Sequence, residues 1–242
     1  MSVLSVERIV ARYGLLHAVR DVSFELSEGE TLALVGANGA GKTTLLRTIA
    51  GAHRPSGGRI AFDGRDVTSV RAHQRVRMGI SLVPEGRRLF PDLTVEENLR
   101  IAGAAGRRGT WNVDAVLEAF PLLEALLRKR AANLSGGEQQ ATAIARALMS
   151  NPRLLLLDEV SLGLAPVVIE RVYESLGTLI DAGTTIVLVE QDITRALRVA
   201  TRVLCMLEGR IVLKGNASEL SREQVTEAYF GLSSPSTNGL YA

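Results

Sequence analysis

The residues Gly36-Ala-Asn-Gly-Ala-Gly-Lys-Thr-Thr44 hold the first chemistry in the chain. Gly36, Gly41, Lys42 and Thr43 stand at the spacing G-x-x-x-x-G-K-[ST], the P-loop pattern. Glycines here let the backbone bend around an anion, and the N–H groups of Asn38, Gly39, Ala40 and Gly41 can then point inward at a helix start. Lys42 suits the β- and γ-phosphates of a nucleotide, the Thr43 hydroxyl suits Mg²⁺, and Thr44 completes the phosphate-facing run. A second site closes the apolar run Leu154–Leu157 with Asp158-Glu159. In α/β sheets active groups gather at the carboxyl ends of strands. Asp158 there suits a Mg²⁺ ligand held partly through water, and Glu159 a general base that orients and deprotonates an attacking water. The two sites can meet if their strands are parallel neighbours.

These groups need elements to position them. Thr31–Val35 reads as a buried strand before the loop, and Leu45, Leu46, Ile49 and Ala50 follow at helical spacing, with Gly51 as a stop. Leu4–Val10, Val22–Leu26 and Arg59–Phe62 read as strands of an antiparallel sheet, with turns at Tyr13-Gly14 and Asp63-Gly64. Gly79–Val83 is a further strand, ended by Pro84. From about 85 to 150 the pattern is helical. Thr94 and Ser135 each open a capping box, T-x-x-E and S-x-x-E, and Pro121 breaks the periodic segment Val113–Arg130. Leu154–Leu157 is a continuously apolar strand. Pro166 and Gly183 bracket a helix whose inner stripe is Val168, Val172, Leu176 and Leu179. Thr184–Val189 is the next buried strand, and Val203–Leu207 with Arg210–Leu213 forms a hairpin. This alternation predicts an α/β sheet with an inserted helical region. The expected organisation is one domain over 1–232. Residues 1–84 and 153–232 form its nucleotide-binding core with the β subdomain, residues 85–152 a helical subdomain, and 233–242 a flexible tail.

The totals narrow the class. The chain has 242 residues, 46% apolar and 22% charged, with net charge +2, which is too weak a basic excess to argue for nucleic acid. One cysteine, Cys205, excludes an internal disulfide and reads as a small core residue; the three histidines lack metal-ligand spacing. Neither a signal-peptide layout nor a run of 18 apolar residues is present, so a cytoplasmic location is expected, with any membrane span supplied by another chain.

Leu134-Ser-Gly-Gly-Glu-Gln-Gln140 decides the family. With the P-loop and the Asp-Glu strand, over about residues 3 to 232, it resembles the signature of ATP-binding subunits of ABC transporters. The fold this implies is a P-loop NTPase with a RecA-like core sheet, an antiparallel β subdomain and an inserted α-helical signature subdomain. Ser135, Gly136 and Gly137, with Glu138, read as an uncapped, positively polarised helix start, a second anion site. The resemblance implies that this tip serves another copy's ATP, two subunits enclosing two nucleotides head to tail. It further implies Tyr13 as the aromatic that stacks on adenine, against the alternative of a buried turn tyrosine. Three positions depart from the family. Glu85 stands where a Mg²⁺-binding glutamine is usual, Gln191 where a switch histidine is usual, and Val160 where a proline is usual. Pro84–Arg88, Glu190-Gln191, the signature and Ser161–Pro166 together look like the second ATPase subunit of branched-chain amino acid importers.

That likeness implies ATP and Mg²⁺ as cofactors. The implied partners are transmembrane permease subunits, a second ATPase subunit (a copy or a sister chain) and, indirectly, a substrate-binding protein. The implied location is peripheral, on the inner face of the membrane, with no nucleic acid partner. An amide or urea importer is the alternative cargo. A soluble ATPase acting on nucleic acid or ribosomes is the alternative class, suggested by the arginines from Arg65 to Arg88. Leu89, Phe90 and Leu93 could grip a permease loop or pack within the helical lobe.

Overall fold

The computed structural model describes residues 2–232; the tail expected at 233–242 lies outside them. In chain order, residues up to Arg71 give β1 (Ser2–Tyr13), β2 (Leu16–Ser27), β3 (Thr31–Val35), α1 (Lys42–Ile49), β4 (Gly57–Phe62) and β5 (Arg65–Asp66). Ala72–Thr184 give α2 (Ala72–Met78), β6 (Ile80–Val83), α3 (Val95–Ala105), α4 (Val113–Ala119), α5 (Gly136–Leu148), β7 (Leu154–Asp158) and α6 (Pro166–Asp181). From Thr185 follow β8 (Thr185–Glu190), α7 (Ile193–Val199), β9 (Arg202–Leu207), β10 (Arg210–Asn216) and α8 (Arg222–Phe230). The chain forms two compact units, one from the segments up to Arg71 and from Thr185 on, the other from Ala72–Thr184.

The first unit contains an antiparallel sheet in the order β2-β1-β4-β5. Its long ribbon β1–β2 turns at Gly14, and its strands run beyond the expected Leu4–Val10 and Val22–Leu26. The added residues alternate less cleanly, but main-chain pairing carries them on, as at Tyr13↔Leu16. The same unit holds β3 between two parallel partners, β8 on one side and β9 on the other, with β10 folded back on β9. All five residues of β3 and all six of β8 are buried. That explains their unbroken apolar runs, since a parallel strand covered on both faces has no solvent side to mark. Ala33, Val35, Val203, Cys205, Val225 and Ala228 form one core cluster of this unit. Burial pushes the Cys205 thiol up to about 12, so it is an inert core group rather than a nucleophile.

The second unit is built on the parallel pair β6–β7, with Ile80 opposite Leu154 and Val83 opposite Leu157. Helix α3 starts at a closed capping box on Thr94 and Glu97. Pro121 splits the following periodic segment into α4 and a 3-10 turn at Pro121–Leu126, because a proline cannot donate to the preceding turn. Helix α6 begins on Pro166 and buries Ile169, Val172, Tyr173, Leu176 and Leu179. Val168, expected on its inner stripe, is only half-buried. No described helix is long and apolar enough to cross a membrane.

A candidate nucleotide site

Strand β3 stops at Val35 and the loop turns at once into α1. Gly36 and Gly41 have φ of 149° and 103°, a region that residues with a Cβ avoid. A methyl at Gly36 would stand 2.2 Å from the Met206 carbonyl oxygen, and one at Gly41 would stand 2.2 Å from that of Ala18. The loop is therefore walled by β9 and β2, and only glycine fits between wall and cradle. Helix α1 has no side-chain cap, and its positively polarised start suits an anion. Lys42 is buried, and its Nζ donates to the carbonyls of Gly36 at 2.7 Å and Ala37 at 3.1 Å. The charge is thus held at the mouth of the loop before any ligand arrives. Thr43 is half-buried and Thr44 buried beside it, while Asn38 and Gly39 are exposed and Ala40 is covered.

Strand register brings one more residue to this loop. Val35 of β3 lies opposite Glu190 of β8, so Gly36 and Gln191 leave their strands at the same end. Glu190 is buried, and its carboxylate accepts from the N–H of Gln191 at 3.1 Å and from that of Asp192 at 3.4 Å. It fixes the turn that presents Gln191. Sequence reasoning leaves Glu190 without a role; an acid ending an apolar strand is the signal for it. Tyr13 ends β1 and is 48% exposed, which excludes the buried turn tyrosine. Its ring meets His53 at 4.6 Å between centroids.

The second unit gathers the acids. Val83 pairs with Leu157, so β6 and β7 end on the same side, with Asp158 closing β7 and Glu85 and Glu159 in the segments that follow. Asp158 is buried, Glu159 half-buried and Glu85 exposed. Glu159 has φ of 49°, an uncommon conformation for a non-glycine residue and one that clusters at functional sites. Val160, in the place of a proline, is buried. Strand β3 is flanked by β8 and β9, so the P-loop strand and the Asp-Glu strand are not immediate neighbours.

Two carboxylates and a threonine hydroxyl are hard oxygen donors, the chemistry Mg²⁺ requires. Among the described residues no group of three or more His, Cys, Asp or Glu forms a metal cage.

Helix α5 corrects one expectation. Its start is not uncapped: Ser135 Oγ accepts from the Glu138 N–H at 3.4 Å, and the Glu138 carboxylate accepts from the Ser135 N–H at 2.6 Å. The S-x-x-E spacing wins because it satisfies two of the tip's free donors locally. Ser135 itself remains exposed, and Gly136 and Gly137 are half-covered. A methyl at Gly137 would stand 2.3 Å from Val168 Cγ1, so α6 requires glycine there.

A glycine cradle on a strand end, an uncapped helix and a seated lysine define a P-loop nucleotide-binding cassette. A model of the ABC transporter family matches residues 19–161. The chain is 45% identical to the high-affinity branched-chain amino acid transport ATP-binding protein BraG of Pseudomonas aeruginosa, over 94% of this chain and 99% of that one. It is 36% identical to the probable branched-chain amino acid transport ATP-binding protein LivF of Archaeoglobus fulgidus, over 91% and 94%. Among solved structures it is similar to a dimeric ATP-binding cassette in a post-hydrolysis state bound to ADP and Pi. The TM-score is 0.79 and the identity 25%, over 88% of this chain and 98% of that one. The chain belongs to the ABC transporter family, as an ATP-binding subunit that hydrolyses ATP.

Proposed function

We propose that this chain powers an importer of branched-chain amino acids. The observation that carries the cargo is its 45% identity, over nearly full length, to a protein named for that transport. Pro84–Arg88 and Glu190-Gln191 agree with it. In this reading the loop Gly36–Thr44 binds the phosphates of ATP, Lys42 neutralises their charge, and Tyr13 offers a flat face to adenine. Thr43, Asp158 and Glu85 would hold Mg²⁺, which would supply positive charge to offset the charge developing on the phosphate. Glu159 takes the proton of the attacking water. Gln191 donates from its amide toward the γ-phosphate and, unlike a histidine, cannot ionise near neutral pH. Ser135–Gly137, with Glu138, completes the site of a second ATPase subunit, a copy or a sister chain. The stretch Glu85–Leu99 moves with nucleotide state, and the chain meets permease subunits at the inner face of the membrane, while a substrate-binding protein delivers the cargo.

The soluble nucleic-acid alternative has less behind it, since the net charge is only +2 and Arg75 of the arginine-rich stretch is buried. Cells lacking this chain test the cargo. Uptake of labelled leucine, isoleucine and valine is expected to fall to background and to return with the wild-type chain but not with Glu159→Gln. Normal uptake of all three, with loss of urea or amide uptake, assigns the other cargo. Co-purification from detergent-solubilised membranes identifies the second ATPase subunit.

A further inference from the structure

In the loop after β6, three consecutive residues, Gly86, Arg87 and Arg88, have positive φ: 74°, 65° and 49°. Glycine takes this conformation freely; arginine does not. Two adjacent left-handed arginines persist only where surrounding contacts hold them. Here many of those contacts lead to α5. Arg146 Nη1 donates to the Arg88 carbonyl at 2.7 Å, and Arg146 Nη2 donates to the Arg87 carbonyl at 3.0 Å. The same guanidinium lies 5.9 Å from the centre of the Phe90 ring. Arg87 in turn donates to Gln139 Oε1 at 3.0 Å, and its Nη2 lies 3.3 Å from where a methyl on Gly136 would stand. On its other side the loop is tied to α3, where the Asn98 amide accepts from Phe90 N–H and donates to Phe90 O. One planar guanidinium can serve two successive carbonyls at once. An ammonium is a point donor without that fork.

We propose that Arg146 is a positioning residue: it holds the strained loop Gly86–Arg88 on α5, so that the loop carrying Glu85 and the Ser135 tip of α5 turn as a single body. The proposal rests on the reading that the Ser135 tip completes a second subunit's nucleotide site. Arg146 touches neither substrate nor metal in this scheme; it acts through the loop.

The test is Arg146→Lys, which keeps the charge and removes the fork. Amide exchange at residues 86–90 is expected to quicken about tenfold, while the β6–β7 amides stay protected. Nucleotide affinity of the isolated chain should hold within about twofold, and kcat of the paired subunits should drop about five- to a hundredfold, as misplaced groups do. Adding Arg88→Gly, which takes the left-handed turn without strain, should restore at least about half of the lost turnover. Unchanged exchange in the loop overturns the proposal. So does faster exchange throughout the unit, which would mark a merely structural arginine, or a loosened loop with normal kcat. Wild-type turnover that needs no pairing would remove the two-subunit reading instead; loop exchange reports on Arg146 either way.

Discussion

Lys42 Nζ donates hydrogen bonds to two carbonyls of its own loop, and the walls behind Gly36 and Gly41 are backbone atoms that cannot step aside. The loop's shape is thus set by contacts as well as by composition. Gly41→Ala forces a methyl against Ala18 O at a φ of 103°, and left-handed strain alone costs about 1–3 kcal/mol. A lowered urea midpoint and loss of fluorescent-nucleotide binding are expected; full binding by this variant would contradict the cradle. At the other site, Glu159→Gln should keep ATP binding and lose about 10²- to 10⁴-fold in turnover, the range of a general base. Unchanged turnover would remove Glu159 from that role. Gln191 predicts a pH–rate profile without a histidine step, and Gln191→His should acquire one near pH ~6.5.

At the scale of elements, two helices of the second unit start at capping boxes, and both carboxylates carry a signature of it. The backbone N–H of Ser135 holds the Glu138 pKa below the ordinary carboxylate range, and that of Thr94 does the same for Glu97. A carboxyl whose pKa is lower folded than unfolded stabilises the fold at pH values above its unfolded pKa. That contribution is lost as pH falls through the lowered, folded value. Melting temperature should therefore decline from about pH 5 downward, and Glu138→Gln should flatten part of that decline. Ser135→Ala removes the other half of the box, at a cost of about 0.5–2 kcal/mol. A melting curve against pH that is identical in Glu138→Gln and wild type would show that the box contributes nothing. The helices hardest to read are α2, α7 and α8, with seven, seven and nine residues. Such short segments span about two turns and accumulate little periodicity. The S-x-x-Q box at Ser221 was nevertheless a readable start for α8.

For the whole molecule the decisive measurement is association. Ser135 and the large apolar Leu162, which follows Glu159 by three residues, both face solvent in the single chain. ATP-loaded Glu159→Gln is expected to pair, by light scattering, with itself or its sister subunit, and the nucleotide-free chain to remain single. Failure to pair even with the permease present would end the two-subunit reading. The compact units divide at Arg71 and Thr185, and β6 and β7 belong to the unit 72–184 with the helices α2 to α6. By itself, the amino-acid order determined the P-loop, the capping boxes, the buried strands and the family, since each is a local pattern of residue types at fixed spacing. Only tertiary structure decided that β3 lies between β8 and β9, that Glu190 steadies Gln191, that β6 and β7 end on the same side, and that Arg146 grips a strained loop 58 residues away. Local spacing encodes what neighbours along the chain can do to one another. Strand order, register and long-range hydrogen bonds depend on which distant segments bury one another, and no short window of residues contains that information.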